Sequence, residues 1–200
     1  MKRVCAVALL LLASALPAAA APIVFTASLS GSAEAPPNAS PGTGSTTITI
    51  DPVAHTLRVE ASFSGLLAGT TASHIHVINS LNDTNTADTN GPVYTTVPTF
   101  AGFPLGVMAG VYDQTFDTLA ASTYNPALLN NAAILGNTSL AEQALFDGIM
   151  AGSAYLNIHS SQFPAGEIRG FLAPAAVPEP ATMTLLGLAL AGLGVRRLRR

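Results

Sequence analysis

The sequence predicts an all-β fold, an antiparallel β-sandwich with few helices. Apolar and polar residues alternate over residues 56–63, as they do in a strand that buries one face. Glycine and proline separate further short segments of the same kind, which indicates turns between strands. Short strands separated by such turn residues favour a sandwich of the immunoglobulin-like, Greek-key type.

The strand pattern recurs along the chain. Asp51-Pro52 is predicted to form a turn, and the spacing from Ile50 to Leu57 predicts a hairpin. In chain order the strand candidates are residues 23–30, 45–50, 56–63, 73–78, 93–97, 108–116, 154–159 and 167–172.

One or two short helices are expected just before the last two strands. Asn125 can cap the first helix, predicted over residues 127–135. Ser139 and Glu142 have the spacing of a capping box ahead of a second helix over residues 141–150. We expect the pair to cap one end or edge of the sandwich.

The polar segment 79–90 is expected to form a long exposed loop. An EF-hand calcium loop needs an oxygen ligand at its fifth position, glycine at its sixth and a carboxylate at its twelfth. Counted from Asp83, those positions hold Ala87, Asp88 and Tyr94, so the EF-hand pattern fails. A looser calcium site is the alternative to a solvated loop.

Residues 1–20 have the organisation of a cleavable signal peptide. Lys2 and Arg3 precede an apolar run over residues 4–16, and cleavage is expected after Ala20. The apolar run is shorter than the roughly 17–25 residues that a spanning helix needs, so a retained anchor is the alternative. Everything after residue 20 is then exported.

The segment 176–200 forms a separate C-terminal tail. Pro178-Glu179-Pro180 precede an uncharged apolar run over residues 181–195. As a helix this run would rise about 22 Å, and local thinning of the membrane could let it span. Arginines beyond the run favour the cytoplasmic side; they are Arg196, Arg197, Arg199 and Arg200.

This tail resembles the PEP-CTERM sorting signal of Gram-negative bacteria. The resemblance implies transient anchoring in the inner membrane, followed by removal of the tail by an exosortase. The protein would then be released to the cell surface or the extracellular matrix. A permanent C-terminal anchor is the alternative.

The composition of the central domain, residues 21–175, excludes several classes of function. Between residues 22 and 177 only Arg58 and Arg169 are basic, against ten acidic residues, a formal charge of −8. A nucleic-acid-binding protein needs a basic surface, so that class is excluded. The chain's only cysteine, Cys5, lies in the signal peptide, which excludes disulfides and thiolate metal sites in the exported domain.

Three of the four histidines lie in two strand candidates. His74 and His76 are two residues apart and therefore share one face of a strand, and His159 lies in a second strand. Two imidazoles on one strand can reach a single metal ion, and a third from a neighbouring strand could complete a Zn or Cu site. The candidate acidic ligands are Glu167 or Glu34. In the structural alternative, neutral histidines tie the two strands together through hydrogen bonds to Asn157, Glu167 or Arg169.

Together with their surroundings, these histidines resemble the CHRD domain, a family found in chordin and in exported bacterial proteins. The resemblance implies a β-sandwich module of undefined molecular activity and supplies no catalytic residues. The matching pieces are Leu29-Ser30-Gly31, Glu34-Ala35-Pro36-Pro37, Ala72-Ser73-His74-Ile75-His76, Gly91-Pro92-Val93, residues 154–159 and residues 163–170. Its motif residues, expected to be structural, are Glu34, Pro36, Pro37, Asn157, Gly166, Arg169 and Gly170.

We therefore predict a non-enzymatic, surface-sorted module that is a binding or structural component of the cell surface or extracellular matrix. No nucleophile elbow, phosphate-binding loop or zinc-protease helix occurs in the sequence. The expected partners are the export machinery and the exosortase, with extracellular polysaccharide or surface proteins as candidate ligands. The alternative is a metal-binding protein or metal-dependent enzyme that uses His74, His76 and His159.

Overall fold

The computed structural model describes residues 21–81, 83 and 89–176. The predicted signal peptide and sorting tail fall almost entirely outside these residues, including Pro178, Glu179, Pro180 and the terminal arginines. In the part that is described, no helix is long and apolar enough to cross a membrane.

Within the described residues, eight strands form one antiparallel sheet that curls into a half-barrel. The strand order is β4-β6-β7-β1-β2-β3-β5, and β8 pairs with β1. The all-β, sandwich-like prediction is confirmed. The strands are β1 (Ile23–Ser30), β2 (Thr43–Asp51), β3 (Thr56–Ser64), β4 (Thr70–Val77), β5 (Gly110–Asp117), β6 (Ala154–Ser160), β7 (Ile168–Phe171) and β8 (Ala173–Pro174).

Period-two alternation builds the core of this sheet. In β3, the apolar residues from Leu57 to Phe63 are buried, and the polar residues between them are not. β3 pairs with β2 through the predicted hairpin, in which Ile50 lies opposite Leu57. Each of the strands β1 to β7 contributes apolar side chains from one face to a single core cluster, because successive side chains point to opposite faces.

The predicted strand over residues 93–97 is wrong. Only isolated bridges form there, between His76 and Val93 and between Thr95 and Tyr124. Proline has no N–H to donate, and Pro92 and Pro98 flank the segment, so a continuous ladder cannot extend past it. The segment nevertheless runs beside β4, where Tyr94 N donates to Ile75 O.

The first predicted helix is much shorter than expected. Helix α1 spans Pro126–Leu129 and is capped by Asn125, whose side chain accepts from Ala127 N. The chain then leaves the helix at Asn131, whose side-chain oxygen accepts from Ala133 N. Such side-chain turns compete with helical hydrogen bonds, which explains why the helix does not reach residue 135.

Helix α2 spans Thr138–Met150 and packs on β4 and β6. The predicted capping box is wrong, because Asn137 is the N-cap and accepts from Ser139 N and Leu140 N. Glu142 instead accepts hydrogen bonds from the Thr118 hydroxyl and from His55. One face of α2 closes the core near the end of β4, where Gly148 lies against Val77.

We expect Asn137→Ala to lower the free energy of unfolding by about 1 kcal/mol, because it removes the acceptor for two free N–H groups of α2. Ser139→Ala is the matched control. Ser139 is exposed and does not cap the helix, so this change should stay within about 0.5 kcal/mol. Urea unfolding of the two variants checks this, and equal losses would contradict the assignment of the cap.

Candidate metal site

The pairing of β4 with β6 brings the three predicted histidines onto one face of the sheet. His74 lies opposite Asn157, His76 opposite Tyr155, and Ala72 opposite His159. The residues between them in both strands, such as Ile75 and Ile158, point into the core and are fully buried. The alternation read from the sequence therefore places the imidazoles together, and His74 and His76 are themselves buried.

The three imidazoles converge on one point. One ring nitrogen from each of His74, His76 and His159 lies within 4.8 Å of the other two. His74 Nδ1 and His159 Nε2 are 3.3 Å apart. In a tetrahedral zinc site with Zn–N bonds of about 2.0–2.1 Å, ligand nitrogens lie about 3.3 Å from one another. This pair of nitrogens is thus already spaced for a shared ion.

Main-chain carbonyls fix which nitrogen of each ring carries the proton. His74 Nε2 lies 2.8 Å from Pro98 O, His76 Nδ1 lies 2.8 Å from Gly91 O, and His159 Nδ1 lies 2.9 Å from Pro164 O. A carbonyl oxygen can only accept, so each of these nitrogens is the N–H donor. The opposite nitrogens, His74 Nδ1, His76 Nε2 and His159 Nε2, are left with lone pairs directed at the point of convergence.

Burial favours the neutral form of the three imidazoles. It lowers the pKa of His74 to about 4, with a smaller contribution from His159, and it lowers the pKa of His76 to about 4. The pKa of His159 is also lowered by burial. A neutral imidazole is the form that binds a metal ion. With the ring protons on the nitrogens that face the carbonyls, His74 Nδ1 and His159 Nε2 are two acceptors that face each other at 3.3 Å.

Tyr155 supports the site from the adjacent position on β6. Its ring stacks on His76, with centroids 4.8 Å apart and planes 9° from parallel. The Arg169 guanidinium lies over the Tyr155 ring, 4.7 Å from the ring centroid. Stacking and the Gly91 carbonyl together hold His76 in one orientation. Tyr155 and the three carbonyls were not among the site residues predicted from the sequence.

The structure does not bring Glu167 to the histidines. Within the described ranges, the group of candidate metal ligands contains only His74, His76 and His159. Glu167 is fully buried, and its Oε1 accepts from Ser40 Oγ and Leu67 N, both at 2.6 Å. Its Oε1 ties two loops together, and its carboxylate does not lie with the ring nitrogens of the three histidines.

Glu34 and Arg169 form a second buried polar group on the same face. Arg169 Nε donates to Ala33 O at 2.6 Å and lies 3.6 Å from Glu34 Oε2. Its Nη1 and Nη2 donate to the Thr89 carbonyl and hydroxyl, both at 2.9 Å. Arg169 therefore joins β7 to two separate loops. The hydrogen bonds that the imidazoles donate go to main-chain carbonyls rather than to Arg169 or Glu167.

The remaining motif residues have structural environments. A Cβ on Gly170 would lie 2.2 Å from Ser28 O, so glycine lets β7 approach β1. Gly166 has φ of 136°, and a Cβ there would lie 2.6 Å from Glu34 Oε1. Pro36 and Pro37 are exposed in the loop that follows Glu34.

We expect the stability contributed by Glu34 to be present at low pH and lost as pH rises through about 7. Burial raises the pKa of Glu34 from 4.5 to about 7, against the opposing effect of Arg169. Between those values the folded protein holds a proton that the unfolded chain has released, so the free energy of unfolding falls with rising pH. Glu34→Gln should remove this dependence, worth about 2 kcal/mol after allowance for solvent screening.

Urea unfolding at pH 5, 6.5 and 8 tests this expectation. The two proteins share every other titratable group, so the difference between wild type and Glu34→Gln isolates Glu34. That difference should shift in favour of the variant between pH 5 and pH 8. A difference independent of pH would contradict the raised pKa.

Comparison with known families places this site in context. Residues 25–172 match the family model of the CHRD domain. The chain belongs to the CHRD domain family. The match runs from β1 to the end of β7 and so includes all three histidines, Glu34 and Arg169. No curated protein is similar enough to the chain to count as a relative.

Residues 176–200 match the PEP-CTERM protein-sorting motif. This CHRD protein is therefore exported and sorted to the cell envelope or surface of a Gram-negative bacterium, and its tail is recognised by the exosortase sorting machinery. The signal peptide at residues 1–20 stays a prediction.

Proposed function

We propose that this CHRD protein binds a transition-metal ion, zinc or copper, at the cell surface or in the extracellular matrix. The observation that carries the proposal is the convergence of three imidazole lone pairs from His74, His76 and His159. Without an ion, His74 Nδ1 and His159 Nε2 are two acceptors 3.3 Å apart with no hydrogen between them. The lone pairs of the two nitrogens repel each other. A cation bound between them would be coordinated by both lone pairs and would remove that repulsion.

The donor set favours zinc and copper over other cations. Imidazole nitrogen suits Zn and Cu, whereas Mg and Ca prefer oxygen ligands. Each imidazole also donates its other N–H to a carbonyl, at 2.8–2.9 Å. Metal-ligating histidines characteristically have such outer partners, which orient the ring and raise its basicity. Among divalent ions the general order of affinity places Cu²⁺ above Zn²⁺.

The role we propose is binding rather than catalysis. The sorting tail supports placing the site on the outer side of the envelope, where the module would be a binding or structural component of the surface or matrix. Extracellular polysaccharide or surface proteins are candidate partners there. The acidic character of the exported domain, with two arginines against ten acids, supports attraction of cations to its surface.

The test is metal analysis of the protein recovered from outside its host, followed by calorimetric titration of the chelator-treated protein with Zn²⁺ and Cu²⁺. We expect about one ion per chain and saturable binding of both ions. Thermal unfolding should also shift upward with added metal, because an ion that binds only the folded state stabilises it. Protein without metal, together with absent or unsaturable heats, would overturn the proposal.

A further inference from the structure

We propose that Asn157 is the fourth ligand of this site and binds the ion through its side-chain oxygen Oδ1. The inference rests on the proposed metal-binding function and extends it, because it defines the coordination as three nitrogens and one neutral oxygen.

The position of Asn157 in the sheet singles it out. It lies directly opposite His74 on β4, two residues before His159 on β6, and diagonal to His76. In an antiparallel pair, directly opposite Cβ atoms are about 4.5–5.5 Å apart, and residues two apart on one strand share a face. Asn157 is thus the residue of β6 that has all three histidines as neighbours. Its side chain lies on the same face of the sheet as the three imidazoles.

The contacts of the Asn157 amide nitrogen show how the amide is oriented. A Cβ built on Gly166 would lie 2.6 Å from Glu34 Oε1 and 2.9 Å from Asn157 Nδ2, so the amide nitrogen is on the side of Glu34. Because the two polar atoms of an amide lie on opposite sides of its carbon, Asn157 Oδ1 is on the side away from Gly166 and Glu34.

Asn157 Oδ1 is a buried acceptor that lacks a donor. Asn157 is only 2% exposed, and within the described part of the chain neither Asn157 Oδ1 nor His76 Nε2 has a hydrogen bond of acceptable geometry. The Asn157 side chain is nevertheless close enough to His76 to raise the pKa of His76 as a hydrogen-bond partner, against the larger effect of burial. Leaving a buried acceptor unpaired costs about 1–3 kcal/mol. A cation between these two atoms would satisfy both of them.

The resulting donor set explains why no carboxylate is needed. Three neutral imidazoles and one amide oxygen give a four-coordinate set, the number typical of structural zinc sites. Because none of the four ligands is anionic, the bound ion keeps its full charge. An anionic ligand at position 157 should therefore strengthen binding of a divalent ion, whereas an apolar side chain of the same size should weaken it.

Three variants of the full exported protein test the role of Asn157. Asn157→Leu should weaken binding of Zn²⁺ and Cu²⁺ by about 10- to 100-fold and should change the visible spectrum of the Co²⁺-substituted protein, since one ligand is lost. Asn157→Asp should bind at least as tightly as wild type. Asn130→Leu makes the same change at an exposed residue beyond α1 and should leave both readouts unchanged.

A measurement on the wild-type protein avoids any loss of folding in the variants. Protein labelled with ¹³C at the asparagine side-chain carbonyl is loaded with Cu²⁺ and studied by pulsed electron paramagnetic resonance. A strong hyperfine coupling to one ¹³C is expected if Asn157 Oδ1 ligates the ion. Absence of that coupling, or Asn157→Leu protein with unchanged affinity and Co²⁺ spectrum, would overturn the role of Asn157 while leaving the three-histidine site intact. Wild-type protein that binds no metal would instead overturn the proposed function.

Discussion

Replacement of His74 and His76 together by alanine is expected to weaken binding of Zn²⁺ and Cu²⁺ by about a thousandfold or more. The double variant keeps only His159 of the three nitrogen ligands. Loss of an outer partner of a ligand already costs about 10- to 100-fold in affinity, so loss of two direct ligands costs more. Calorimetric titration, with a competing chelator where binding is tight, measures the change.

His55→Ala is the matched control for the double variant. His55 is the remaining histidine, its side chain is 43% exposed, and it pairs with Glu142 at 3.1 Å rather than with the other histidines. Its removal should leave metal affinity unchanged. Thermal unfolding of both variants without metal shows whether they fold. Equal, weak heats from wild type and the double variant would mean that the histidines bind no metal.

The fold could be predicted from the sequence where one local pattern decided the structure. The alternation in β3 is such a case, because a shift of one residue would expose the whole apolar set. The helical region was less predictable. Asn131 and Asn137 both compete for backbone N–H groups through their side chains, and the positions at which they end α1 and begin α2 depend on tertiary packing.

The candidate site could also be predicted only where the strand pattern determined it. Period-two geometry places His74 and His76 on one face, and β6 supplies His159. The sequence could not show that Gly91, Pro98 and Pro164 orient the rings, because these carbonyls come from three loops whose paths are set by long-range contacts. A main-chain carbonyl has no residue-type signature, so no motif search can find it.

For Glu167, the chemistry of the side chain alone led to a wrong expectation. As a carboxylate near His159 in sequence, it was a reasonable fourth ligand, yet its Oε1 accepts from Ser40 and Leu67. Asn157 was assigned to structure alone, although it lies between the histidines. The side-chain chemistry of a residue shows what it can bind, whereas strand register decides what it faces.

Arg169→Met is expected to lower the free energy of unfolding by about 3–5 kcal/mol, the largest loss of stability that we expect from a single substitution. Arg169 is 2% exposed and donates to Ala33 O, the Thr89 carbonyl and the Thr89 hydroxyl. Methionine has a similar length but no donors, so these acceptors and Glu34 lose their buried partner. Urea unfolding at pH 7 measures the loss.

Arg58→Met is the matched control, since Arg58 is the other arginine of the exported domain. It pairs with Asp113 at 2.7–2.8 Å, but both side chains are largely exposed, and surface pairs contribute about 0–1 kcal/mol. A loss from Arg169→Met no larger than that from Arg58→Met would contradict the structural role of Arg169.

Adding Glu34→Gln to Arg169→Met separates the two sources of the loss. Much of the cost of removing one partner from a buried pair is the charge left behind rather than the pair itself. Because the pKa of Glu34 is already raised to about 7, Glu34 can take up a proton when Arg169 is absent. The double variant should therefore recover about 1–2 kcal/mol at pH 8 and little at pH 5, where Glu34 is protonated in the folded protein. No recovery at either pH would assign the loss to the Ala33 and Thr89 contacts alone.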